Sequence, residues 1–142
     1  IRDQPRSRGL GDVYKRQTDN WAHDGRYDRY LEAAHRVDHY LENLWSLLQS
    51  IPQYRGKTSF VITTDHGRGT APVKWRSHGS TIEGAEYFWV AITGPDTPPR
   101  GERTNTPEIT QAQVAATLAD LLERDFLSVS KSAAPPIDTH SR

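Results

Sequence analysis

Thr58-Ser59-Phe60-Val61-Ile62-Thr63-Thr64 runs directly into Asp65-His66-Gly67-Arg68-Gly69. The first half is short, β-branched and apolar in its middle, the pattern of a buried strand. The second half puts a carboxylate, an imidazole and two glycines at that strand's carboxyl end, which is where open α/β sheets bind ligands. Upstream, apolar residues recur at Tyr27, Tyr30, Leu31, Ala34, Val37, Leu41, Leu44, Trp45 and Leu48. This i, i+3, i+4, i+7 spacing predicts an amphipathic helix starting near Asp24 as N-cap. Ile51-Pro52 ends it, because proline disfavours helical geometry in the residue before it. Downstream, residues 69–85 are rich in Gly, Ser and Thr and read as an ordered loop. Tyr87-Phe88-Trp89-Val90-Ala91-Ile92-Thr93 reads as a second buried strand, stopped by Gly94-Pro95. Thr110 can cap a second helix from Gln111 to about Arg124, with Val114, Leu118, Leu121 and Leu122 on one side. Apolar strands flanked by amphipathic helices predict an α/β layered domain. Two strands make too small a sheet for that architecture, so either partner strands are missing or the expected partial domain is only marginally stable.

Composition narrows the function. Lys+Arg and Asp+Glu both number 18, so the net charge is zero and neither nucleic acid nor a membrane surface is an expected partner. No apolar run approaches the roughly 18 residues of a bilayer span. Cysteine is absent, which excludes disulfides and thiolate metal sites. The chain is 25% charged and 35% hydrophobic, polar for a globular domain but not for one disordered throughout.

Three short elements hold chemistry: Asp19-x-x-x-His23, Asp65-His66-Gly67, and His78-Gly79. Carboxylate oxygen and imidazole nitrogen suit Zn²⁺-type cations. Three His and two Asp can serve two cations about 4 Å apart, which together activate a nucleophile and polarise a phosphoryl oxygen. Gly67 and Gly69 permit tight backbone turns beside them. Each element also has a plainer reading. Asp19 and His23 fit a solvated loop, Asp65-His66 a turn with a helix cap, and His78 a surface histidine.

The run Thr18-Asp19-Asn20-Trp21-Ala22-His23-Asp24-Gly25-Arg26-Tyr27-Asp28, then Thr63-Thr64-Asp65-His66-Gly67-Arg68-Gly69, His78-Gly79 and Thr110-Gln111, resembles the C-terminal half of the alkaline phosphatase superfamily. The likeness covers about residues 18–126 and is strongest to phosphodiesterase and nucleotide pyrophosphatase-like members. It implies a partial alkaline-phosphatase-like fold and a hydrolase of phosphate mono- or diesters. It assigns Asp19, His23 and His78 to one divalent cation and Asp65 and His66 to another, with Zn²⁺ expected and Mn²⁺ or Ca²⁺ as alternatives. His66 favours a zinc-type pair over the single calcium site of sulfatases, and so a phosphate ester over a sulfate ester. The pattern's further metal-binding Asp and its Ser or Thr nucleophile have no counterpart in the chain. In an intact relative, that hydroxyl attacks phosphorus, a phosphoenzyme forms, and water hydrolyses it. A catalytically inactive fragment, a sulfatase, and a relative of cofactor-independent phosphoglycerate mutases are the competing expectations. The expected partner is a small-molecule phosphate ester. Many relatives are exported, which allows a periplasmic setting, but the residues themselves fix no compartment.

Other features weigh less. Residues 1–17 carry a net charge of +3 and no periodicity. Gly11-Asp12-Val13-Tyr14-Lys15-Arg16-Gln17 resembles a translated transposon-end sequencing adapter, so this stretch reads as a non-native basic arm. A nucleic-acid-binding arm is the rival, with Tyr14 as its one stacking aromatic. Residues 18–126 then form the hydrolase portion, and 127–142, rich in Ser, Ala and Pro, are expected to be a disordered tail. His35 and His39 have zinc-compatible i, i+4 spacing but fall towards the polar side of their helix. His140 lies in the tail. Arg68 can steady an anionic oxygen. Trp75 and Arg76 either border a substrate pocket or pack the loop.

Overall fold

The computed structural model of the chain describes residues 18–70 and 72–139. The adapter-like stretch 1–17 and His140 lie outside the described residues. The chain divides into two compact units, described separately below. Among the described residues, one holds 18–51 and 66–88, and the other holds 52–65 and 89–139.

In the first unit, residues 18–23 are helical. The helix closes where Gly25 N–H donates to Ala22 O at 2.9 Å and Arg26 N–H to Trp21 O at 2.9 Å. This paired closure needs a left-handed residue, and Gly25 provides it at φ 70°. Asp19 and His23 are therefore one helical turn apart on one face, not in a solvated loop. Helix α1 spans Tyr27–Ser50, with Arg26 at its N-cap. The expected cap, Asp24, is two residues too early because the chain between the helices is used to end the first one. The inner face of α1 carries Ala33, 2% exposed, with Tyr30, Leu41, Trp45 and Leu48 half-buried. Ala34, placed at the stripe's centre by periodicity, is exposed. Among the described residues of the loop 66–88 lies one 3₁₀ turn, Lys74–Arg76.

In the second unit, β1 (Phe60–Thr63) pairs antiparallel with β2 (Val90–Thr93), Phe60 opposite Thr93 and Thr63 opposite Val90. Both are shorter than the apolar runs predict. They are also half-buried, not fully buried, with Trp89 and Tyr87 in solvent. An antiparallel pair presents two faces, and two four-residue strands cannot enclose either. The second predicted helix is a 3₁₀ turn, Gln111–Gln113, leading into α2, Val114–Asp120. Gln113 Oε1 accepts from Thr110 N–H at 2.9 Å, so the expected Thr110 start is marked by a capping contact. Helical hydrogen bonding gives way to turns after Asp120, and Glu123 takes a positive φ of 56°.

The segment expected to be disordered differs from that expectation over 127–139. Ile137 N–H donates to Thr117 Oγ1 at 2.9 Å, and Thr117 Oγ1 donates to Gln113 O at 2.8 Å. Gln113 Nε2 donates to Pro135 O at 3.0 Å and Ala134 N–H to Ala112 O at 3.1 Å. Thr117 is 1% exposed, so these contacts satisfy a hydroxyl that would otherwise be buried without partners. The following chain is thus hydrogen-bonded onto α2 and the turn before it. No described helix is long and apolar enough to cross a membrane.

Candidate metal centre

Two elements of the first unit supply the site. The 18–23 helix presents Asp19 and His23, and the loop 66–88 presents His66, Arg68 and His78. The loop is fixed by close backbone approach. Gly67 N–H donates to Ala85 O at 2.9 Å and Gly69 N–H to Ser77 O at 3.1 Å. A Cβ on Gly67 would strike Tyr87 O and lie 2.8 Å from Gly84 O; one on Gly69 would lie 2.6 Å from Lys74 O. Only glycine fits at either position. The sequence reading treats both as turn formers, and their structural role is close packing.

Asp19, His66 and His78 each offer one ligand atom, and these atoms all lie within 4.8 Å of one another. All three are half-buried. His23 Nε2 lies 3.1 Å from His78 Nε2 and 3.4 Å from Asp19 Oδ1. His78 Nε2 is 3.5 Å from the same oxygen. The His66 and His78 rings stack at 4.0 Å with 22° between their planes. His66 Nδ1 is 2.8 Å from Gly67 O. A carbonyl only accepts, so Nδ1 donates in this contact. Burial pushes the His78 imidazole below the ordinary histidine range; His66 acts in the same direction, and the Asp19 carboxylate opposes it. A neutral imidazole is the form that binds a metal.

Arg68 closes the cluster from the protein side. Its side chain is 14% exposed and donates through Nη2 to Asp19 Oδ1. Nη1 reaches Arg76 O at 3.4 Å, and the guanidinium lies 5.9 Å from the centre of the Tyr30 ring. Trp75 packs edge-on against Tyr27 at 5.3 Å and Tyr30 at 5.9 Å. This contact packs the loop against the start of α1.

An open cleft of about 450 Å³ adjoins the cluster. His66 and His78 line it, followed by Gly79, Ser80, Thr81, Ile82, Glu83, Ala85 and Glu86. No motif marks Ser80, Thr81, Glu83 or Glu86 in the sequence; their nearness to His78 along the chain is the one signal that points to them. Asp65 belongs to the other unit, where its main-chain carbonyl accepts from the Gln111 side-chain amide. His35 and His39 are exposed on α1, and His39 Nδ1 lies 3.1 Å from Glu42 Oε2.

The donor set of one carboxylate and two or three imidazoles fits a divalent transition-type cation better than Ca²⁺, which takes oxygen ligands. The Nδ1-anchored ring of His66 and the shared approach to Asp19 Oδ1 support that fit. A family model described as Sulfatase matches residues 7–123. No curated protein and no solved structure matches the chain. The family match spans most of the chain and includes every residue of the cluster. The chain belongs to the sulfatase family of hydrolases, within the alkaline phosphatase superfamily.

Proposed function

We propose that this chain supplies the cation-binding portion of a metal-dependent hydrolase of phosphate mono- or diesters. The observation that carries the reading is the convergence of Asp19, His66 and His78 ligand atoms within 4.8 Å. Zn²⁺ is the cation the donors favour, with Mn²⁺ second. A divalent cation there would supply Lewis-acid stabilisation of charge on the ester oxygens. His23, 3.1 Å from His78 and 3.4 Å from Asp19, is the further imidazole within reach of that cation.

The chain's own residues do the rest. Gly67 O fixes the proton on His66 Nδ1, and so sets which nitrogen faces the site. Arg68 stands beside Asp19 with a guanidinium that can take an oxyanion oxygen. The cleft beyond His78 receives the remainder of the ester, with Ser80 and Thr81 hydroxyls as polar contacts. This reading assigns the attacking Ser or Thr to sequence outside these residues, and so expects no turnover by the chain alone.

A second reading, sulfate ester hydrolysis, is favoured by the family match itself. Turnover of bis(p-nitrophenyl) phosphate, p-nitrophenyl phosphate and p-nitrophenyl sulfate separates the two. The assays compare the zinc-loaded chain with the same chain carrying its upstream gene sequence. The expected result is no turnover by the chain alone and phosphate-ester turnover when the upstream part is restored. Faster sulfate turnover would establish the second reading, and turnover by the chain alone would remove the claim of an external nucleophile.

A further inference from the structure

Asp19 Oδ1 is the focus of four groups: His23 Nε2, His78 Nε2, the nearby His66 ring, and Arg68 Nη2. Only Arg68 among these carries a fixed positive charge. Its guanidinium is mostly covered, held over Tyr30 and near Arg76 O, and it reaches across 49 positions of sequence to this one oxygen. With neutral imidazoles, the carboxylate and guanidinium cancel, and the cluster has no net charge to attract a cation.

We propose that Arg68 is the resident counter-cation of Asp19: it neutralises the carboxylate while the site holds no metal, and it gives up Asp19 Oδ1 when the site is filled. The inference rests on the cation-site reading above and adds a competitor built into the protein. Two positive charges cannot share one carboxylate oxygen on equal terms, so filling the site breaks the Arg68–Asp19 contact. The released guanidinium keeps its position above Tyr30 and gains free donors beside the cluster. Those donors suit the oxygens of a phosphate or sulfate group, so the anion-binding group is freed only when the cation is in place.

The test is zinc affinity measured by calorimetry on the full chain and its Arg68→Gln, Arg68→Lys, Asp19→Asn and Asp19→Asn/Arg68→Gln variants. Arg68→Gln should bind Zn²⁺ about tenfold more tightly than the unmodified chain; Asp19 is 42% exposed, so the effect falls at the low end for a charge-assisted contact. Arg68→Lys should stay within about twofold, because the charge remains. In the Asp19→Asn background, loss of Arg68 should change nothing. Equal or weaker binding by Arg68→Gln would overturn the proposal and leave Arg68 a scaffold residue. Should the unmodified chain and a His66→Ala variant bind zinc equally, the cation site itself would fall, and this inference with it. A second readout avoids dependence on the folding of variants. The ¹⁵N resonance of the Arg68 guanidinium in the unmodified chain should shift on adding zinc, and a resonance unmoved at saturation would contradict release.

Discussion

Helix α1 is regular for 24 residues, yet it leaves Leu31, Val37, Tyr40, Leu44 and Leu47 in solvent. The loop 66–88 has little regular structure, yet Gly67 and Gly69 have no room for a methyl group. Both belong to one unit. The helix needs only its own backbone hydrogen bonds and a modest inner face around Ala33. The loop has no repeating ladder and is held by backbone contacts with Ala85, Ser77 and its own glycines. The cluster takes His66, Arg68 and His78 from the second kind of element and Asp19 and His23 from the short 18–23 helix. Its geometry depends on how closely segments approach, not on helical or strand propensity.

This contrast sets where substitutions should hurt. Gly67→Ala should be the most damaging, destabilising by about 3 kcal/mol in urea unfolding, because both obstacles are backbone carbonyls that cannot swing aside. Gly69→Ala should follow at about 2 kcal/mol, since one of its neighbours is the Ile82 side chain, which can move. On α1, Ala33→Leu overfills the covered face and should cost about 1.5 kcal/mol. Leu44→Gln, at a position 46% exposed, should stay within about 0.5 kcal/mol. A loss at Leu44 matching that at Ala33 would mean the outer stripe of the helix is covered in solution, and the comparison would fail there.

The smallest effect concerns pH. The folded chain holds His78 below its ordinary value of 6.5, so the unfolded chain binds more protons as pH falls. The neutral ring's contribution is present above about pH 6.5 and is lost as pH drops through the lower folded value. The urea midpoint should decline across that window, and His78→Gln should flatten the decline. A midpoint that rises on acidification would reverse the assigned direction.

Elements with local signals are legible in the sequence. The period of Tyr27 to Leu48 and the Ile51-Pro52 stop mark α1, and Thr110 marks the start of the 111–120 helical segment. The two apolar runs locate both strands, though not their antiparallel pairing, which depends on partners far apart in sequence. The first helical turn was hidden because Asp24 looks like a cap, while Gly25 in fact closes the preceding helix. The candidate cluster is legible by residue type at Asp19, His23, His66 and His78. The Arg68–Asp19 contact is not, because nothing local to either residue records a neighbour 49 positions away. The contacts of the chain over 127–139 are not legible in the sequence for a related reason. Its Ser, Ala and Pro content describes a free chain, whereas its hydrogen bonds go to Ala112, Gln113 and Thr117.

The central claim is that Asp19, His66 and His78 form one cation site. Calorimetric titration of zinc into the chain and its Asp19→Asn, His66→Ala, His78→Ala and His39→Ala variants tests it most directly. Saturable binding should weaken by about a hundredfold or more in each of the first three, because each removes a ligand that directly holds the ion, and should be unchanged in His39→Ala. Equal affinity across all five proteins would contradict the claim.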